Sequence, residues 1–126
     1  MSTGIEGLDN ILHGGLAGNH LYLIEGDPGT GMTTIALQYL LEGKRLGQKG
    51  LYVTLSESKT ELLEIAESHG WSLAGIDLFE ITPDENHLRA EAQYTVFNPT
   101  EIELSDATSA VLAGVERLRP ARLVFD

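Results

Sequence analysis

The sequence predicts an α/β domain with a mainly parallel sheet flanked by helices. Short apolar runs that read as strands alternate with amphipathic stretches that read as helices. Glycine, proline or a capping residue punctuates almost every change between them. A glycine-rich turn joins the first apolar run to the first helical stretch. In such a βαβα order each helix carries the chain back to the same end of the sheet, so neighbouring strands run parallel and are covered on their faces. The 126 residues hold no internal repeat, low-complexity segment or Pro/Gly/Ser-rich linker, which fits one domain.

The elements follow in order. "HLYLIEG", His20 to Gly26, is a short apolar run closed by glycine and predicts a buried strand. From Thr33 to about Leu46 the pattern turns helical, with Ile35, Leu37, Leu40 and Leu41 apolar and Gly47 where a C-terminal cap belongs. "GLYVTLSE", Gly50 to Glu57, predicts a second strand rich in β-formers. Ser58 and Glu61 have capping-box spacing and open a helix through Leu62, Leu63, Ile65 and Ala66 to His69, with Gly70 ending it. "LFEIT", Leu78 to Thr82, reads as a third strand, and the aperiodic stretch from Pro83 to Leu104 as loop. Ser105 is expected to cap a helix bearing Val111, Leu112, Val115 and Leu118, stopped by Pro120. "RLVFD", Arg122 to Asp126, is a final strand that ends in an acid.

Composition narrows the function. At 42% hydrophobic and 21% charged, the chain is an ordinary globular composition. It has no cysteine, which excludes disulfides and thiolate metal sites and suits a reducing cytoplasm. The N-terminus lacks the basic and apolar blocks of a signal peptide, and no apolar run approaches the roughly 20 residues of a membrane span. A net charge of −11, with the eight Lys and Arg scattered, argues against a nucleic-acid surface, which needs clustered cations.

The chemistry concentrates in "GDPGTGMTT", Gly26 to Thr34. A strand runs into Gly26, the backbone turns through Asp27-Pro28-Gly29-Thr30-Gly31, and a helix begins. That is the arrangement of the phosphate-binding loop G-x-x-x-x-G-K-[ST], in which glycines let successive N–H groups face inward and the helix N-terminus adds partial positive charge. Thr33 places a hydroxyl where a Mg²⁺ ligand is needed. The bland alternative is an ordinary glycine-containing turn; three glycines, a hydroxyl and both flanking elements in register disfavour it. The departure is Met32, which stands where the motif has lysine. Methionine has similar reach but no charge and no donor, so it spares the helix start and removes neutralisation of the β- and γ-phosphates. Losing one such preorganised contact typically costs on the order of 10²–10³ in rate. Nucleotide binding with impaired hydrolysis is therefore expected.

Joined to its surroundings, the sequence resembles the KaiC-like branch of the RecA superfamily of P-loop ATPases. "STGIEGLDNILHGGL" leading into "LIEGDPGTGMTT" matches the family's opening, which RecA-like and RadA-like recombinases share in looser form. "LYVTLSES", "SHGWSL" and the terminal "RPARLVFD" favour the KaiC-like branch. The likeness covers essentially the whole chain and is weak between Pro83 and Leu104. It implies ATP or ADP with Mg²⁺ as ligands. Gly26, Asp27, Pro28, Gly29, Thr30, Gly31, Met32, Thr33 and Thr34 would form the Walker A loop. Thr33 and Asp126 would hold Mg²⁺, Asp126 as the Walker B acid acting through water. Glu57 would be the general base that activates water, the neighbouring family glutamate being Ser56 here. On spacing alone a solvated strand end is the lesser reading of Glu57, whereas for Asp126 an exposed terminal aspartate is the favoured one without the resemblance.

The resemblance further implies that residues 1–126 are the N-terminal portion of one RecA-like domain, ending at the Walker B strand. In such sheets the strand between the loop strand and the Walker B strand comes later in the chain, so the sheet would be incomplete at its C-terminal side. A homo-oligomer, hexamer-like as in the family, with protein partners and a signalling or regulatory output, is the implied setting. The competing expectations are a non-catalytic nucleotide-sensing or oligomerisation module and a RadA-like DNA-dependent ATPase, the latter opposed by the negative charge. The four histidines show no metal-ligand spacing, Trp71 reads as a packing residue, and Glu61, Glu64 and Glu67 as a solvated helix flank.

Overall fold

The structure, a computed structural model, describes residues 1–81 and 99–126, with the backbone alone for 99–105. In chain order the elements are α1 (Glu6–Ile11), α2 (Met32–Arg45), β1 (Gly50–Thr54), α3 (Lys59–Ser68), β2 (Ile76–Glu80), α4 (Pro99–Leu118) and β3 (Arg122–Phe125). The strands form a parallel sheet in the order β2-β1-β3, with Gly50 in register with both Ile76 and Arg122. This is the α/β class the sequence predicts.

β1 is buried at every position, as expected of a central parallel strand covered on both faces. Tyr52 and Ile76 pack against Leu37 and Leu40 of α2, Leu62 and Ala66 of α3, and Leu73. Leu51 and Val53 point to the other face, where Val111, Gly114 and Leu118 of α4 line a cavity of about 80 Å³. α3 starts as expected: Ser58 Oγ accepts from Glu61 N–H while the Glu61 carboxylate accepts from Ser58 N–H.

The opening segment is tied to this core by two acceptor–donor knots. The Asp9 carboxylate accepts from Ser2 Oγ at 2.8 Å, Thr3 N–H at 2.9 Å and Thr3 Oγ1 at 2.7 Å. These bonds, Thr3 foremost, hold the Asp9 carboxyl below its ordinary proton affinity. Arg122, fully buried on β3, supplies the second knot. It donates to Gln48 Oε1 at 2.8 Å and, through one Nη, to the carbonyls of Ser2 at 2.6 Å and Tyr39 at 2.9 Å. Its guanidinium lies 4.7 Å from the centroid of the Tyr39 ring, a cation–π distance. The other Nη is buried with no partner among the described residues. Gly43 makes room: a Cβ there would lie 2.6 Å from Arg122 Cδ.

Four expectations are corrected. His20 to Gly26 forms no strand, and Leu21 and Leu23 are 98% and 82% exposed. A strand exists only against a neighbour about 4.8 Å away; both edges of β1 are taken by β2 and β3, and 20–26 pairs with neither outer strand. The last helix begins at Pro99, so Ser105 lies inside it and is not its cap; proline is well suited to a first helical position, having no N–H to leave unsatisfied. Of the loop expected over Pro83 to Leu104, residues 99–104 are therefore helical and 83–98 lie outside the described residues. The third strand, expected over Leu78 to Thr82, spans Ile76–Glu80, because its register is set by pairing with β1, and Thr82 lies outside the described residues.

Candidate functional site

α2 begins at Met32 directly from a glycine turn. Gly29 and Gly31 take left-handed φ values of 86° and 97°, which L side chains resist. Thr30 closes the turn, donating both its N–H (3.2 Å) and its Oγ1 (2.7 Å) to the Asp27 carbonyl. Among the described residues no side chain caps the α2 N-terminus, which leaves the amides of its first turn to an outside acceptor. Asp27, Pro28 and Gly29 are exposed at the rim, while Met32, Thr33 and Thr34 are half-buried in the first turn. A Cβ on Gly26 would lie 2.7 Å from Thr30 Oγ1 and 3.3 Å from Met32 Sδ. The Met32 thioether thus occupies the space where a side chain at position 26 would go.

The sheet brings the other named residues to this helix start. Thr33 Oγ1 donates to the Glu57 carboxylate at 3.3 and 3.4 Å, a long contact shared between its two oxygens. Glu57 is placed by Thr54, whose Oγ1 donates to the Glu57 carbonyl at 2.9 Å and accepts from its N–H at 3.0 Å. Asp126 is fixed in backbone by Val53, which accepts its N–H at 2.9 Å, and by Leu55, which donates to its carbonyl at 2.7 Å. Its Oδ2 accepts from the Tyr52 hydroxyl at 2.8 Å. Thr33, Glu57 and Asp126, far apart in sequence, therefore gather at the carboxyl end of β1 and β3.

The electrostatics agree with the geometry. Burial, and then the nearby Asp126 carboxylate, raise the Glu57 carboxyl above its ordinary value, with Thr33 opposing. Burial and Asp126 also push the Tyr52 phenol well above its usual range. The Glu57 and Asp126 carboxylates thus lie near enough to repel, and Met32 adds no positive charge beside them. That is an environment a divalent cation would relieve, and its oxygen donors are of the hard type Mg²⁺ prefers. Among the described residues no group of three or more His, Asp or Glu side chains is placed to hold a metal alone. Thr33 and Asp126 would hold Mg²⁺ only with water and phosphate oxygens completing the shell, its usual habit. Beside Glu57, an open cleft of about 550 Å³ runs along Ser56, Glu61, Glu64, Ile65 and Ser68.

Sequence reading missed Tyr52 and Arg122. Both carried a signal: a tyrosine inside a buried strand needs a partner for its hydroxyl, and an arginine opening an apolar strand needs acceptors.

Among known proteins, a family model described as "ATPase: KaiC" matches residues 1–110. A UPF0273 protein of Thermotoga maritima is 40% identical over 80 residues, covering 64% of this chain and 32% of the relative. The circadian clock oscillator protein KaiC of Picosynechococcus is 44% identical over 75 residues, 59% of this chain and 14% of the relative. The UPF0273 protein MK0039 of Methanopyrus kandleri is 30% identical over 135 residues, 100% of this chain and 52% of the relative. The chain thus spans from about one seventh to about half the length of these relatives.

Proposed function

Because the chain belongs to the KaiC ATPase family, we propose that it binds ATP or ADP with Mg²⁺ on the loop from Gly26 to Thr34. The observation that carries this is the uncapped start of α2, with Thr33, Glu57 and Asp126 gathered beside it. Loop amides and the helix dipole would take the phosphates. Mg²⁺, held by Thr33 and Asp126, would supply charge neutralisation at the phosphate oxygens. Glu57 would accept the proton of the attacking water, a role suited to a carboxyl whose proton affinity is raised. Met32 contributes no charge, so turnover is slow and nucleotide occupancy outlasts it.

In the family setting this is a regulatory ATPase acting in the cytoplasm as a ring-like homo-oligomer. No helix among the described residues is long and apolar enough to cross a membrane. We read residues 1–126 as the N-terminal portion of one larger domain. The outer edge of β3, without a partner strand among the described residues, and the bare apolar stretch at Leu21 and Leu23 support this. A second reading, a nucleotide-sensing module without catalysis, is favoured by Met32; restoring lysine there separates the two. The primary test is equilibrium binding of ADP and ATP with and without Mg²⁺. Saturable binding strengthened by Mg²⁺ is expected; no binding at millimolar nucleotide overturns the proposal.

A further inference from the structure

Asp126 is exposed and stands at the end of a strand, where a free carboxylate samples several rotamers. Tyr52 is the opposite: fully buried, on the central strand, its ring held among Leu37, Leu40 and Leu62. The phenol donates to Asp126 Oδ2 at 2.8 Å. One rigid side chain on the central strand therefore holds the candidate metal ligand at the end of β3. With Oδ2 engaged, Oδ1 is the oxygen left to face the cation.

We propose that Tyr52 is a positioning residue for the metal site: its hydroxyl fixes the orientation of the Asp126 carboxylate. This rests on the nucleotide reading above. The bland alternative is a buried hydroxyl that only satisfies its own hydrogen bond. The two differ in what they predict for the metal. A structural role alone would weaken nucleotide binding equally with and without cation, whereas a positioning role acts on the metal-dependent part. Partners that orient a metal ligand are typically worth about 10–100-fold in metal affinity.

The experiment measures ADP affinity of the full chain in Mn²⁺ and in EDTA, for the parent and for Tyr52→Phe, with Asp126→Asn as reference. Tyr52→Phe keeps the ring in the core, and a denaturation curve checks its fold. The expected result is unchanged affinity in EDTA and a metal-dependent gain reduced about tenfold, toward that of Asp126→Asn. An unchanged gain overturns the positioning role while leaving nucleotide binding intact. A parent that binds no ADP in either condition overturns the nucleotide reading and this proposal with it.

Discussion

One Nη of Arg122 donates to the carbonyl of Ser2 at 2.6 Å, joining residues 120 positions apart. The same guanidinium holds Tyr39 and Gln48, so the opening segment, α2 and β3 meet on one buried cation. Replacing it by methionine would strand the Ser2 carbonyl and the Gln48 side-chain oxygen and take from the Tyr39 carbonyl the bond it makes beyond the α2 ladder. Each unsatisfied buried acceptor costs about 1–3 kcal/mol. Arg122→Met is expected to lose about 3 kcal/mol by denaturant unfolding, and Arg122→Lys, lacking the fork, a good part of that. Full stability in the methionine variant would show that the knot is incidental.

Gly43→Ala tests the same contact from the other side. The added Cβ would lie 2.6 Å from Arg122 Cδ and 2.9 Å from its Nε, and the pinned guanidinium cannot step aside. Overpacking of this kind costs about 1–3 kcal/mol, against the few tenths to 1 kcal/mol that alanine usually gains over glycine in a helix. A lowered unfolding midpoint is expected; a raised one would mean that Arg122 has an alternative route.

Glu57 gives a pH prediction whose sign is fixed by its upward shift. A carboxyl with a raised folded pKa binds its proton more tightly in the native state, so the native state is relatively favoured below the ordinary 4.5 and loses that advantage as pH rises through the folded value. Glu57→Gln removes the penalty of the ionised form. It is expected to be more stable than the parent at neutral pH without divalent cation, with the difference vanishing below the ordinary carboxyl range. Parallel stability–pH curves would contradict this. Asp9 carries the opposite sign: its lowered pKa contributes stability above 3.8 that is lost on further acidification.

Met32→Lys restores a cation over the loop. Hydrolysis by the Met32→Lys chain is expected to rise on the order of 10²–10³ over the parent, with nucleotide binding also tighter. The measurement is phosphate release under saturating Mg-ATP. Binding without any gain in turnover would favour the nucleotide-sensing reading.

Local pattern alone was enough for α2, β1, α3 and β3 and for the glycine turn, because helix periodicity, capping spacing and the demand for left-handed φ are short-range properties. The sequence also shows directly that position 32 carries no charge. Tertiary structure decided what depends on a neighbour. His20 to Gly26 has the composition of a strand but not a partner, and a ladder bond needs both. Tyr52 and Arg122 look like core residues in sequence; their significance lies in Asp126, 74 positions away, and Ser2, 120 positions away. Which acid stands beside which hydroxyl was set by the parallel register of β1 and β3, a relationship that no window of sequence contains.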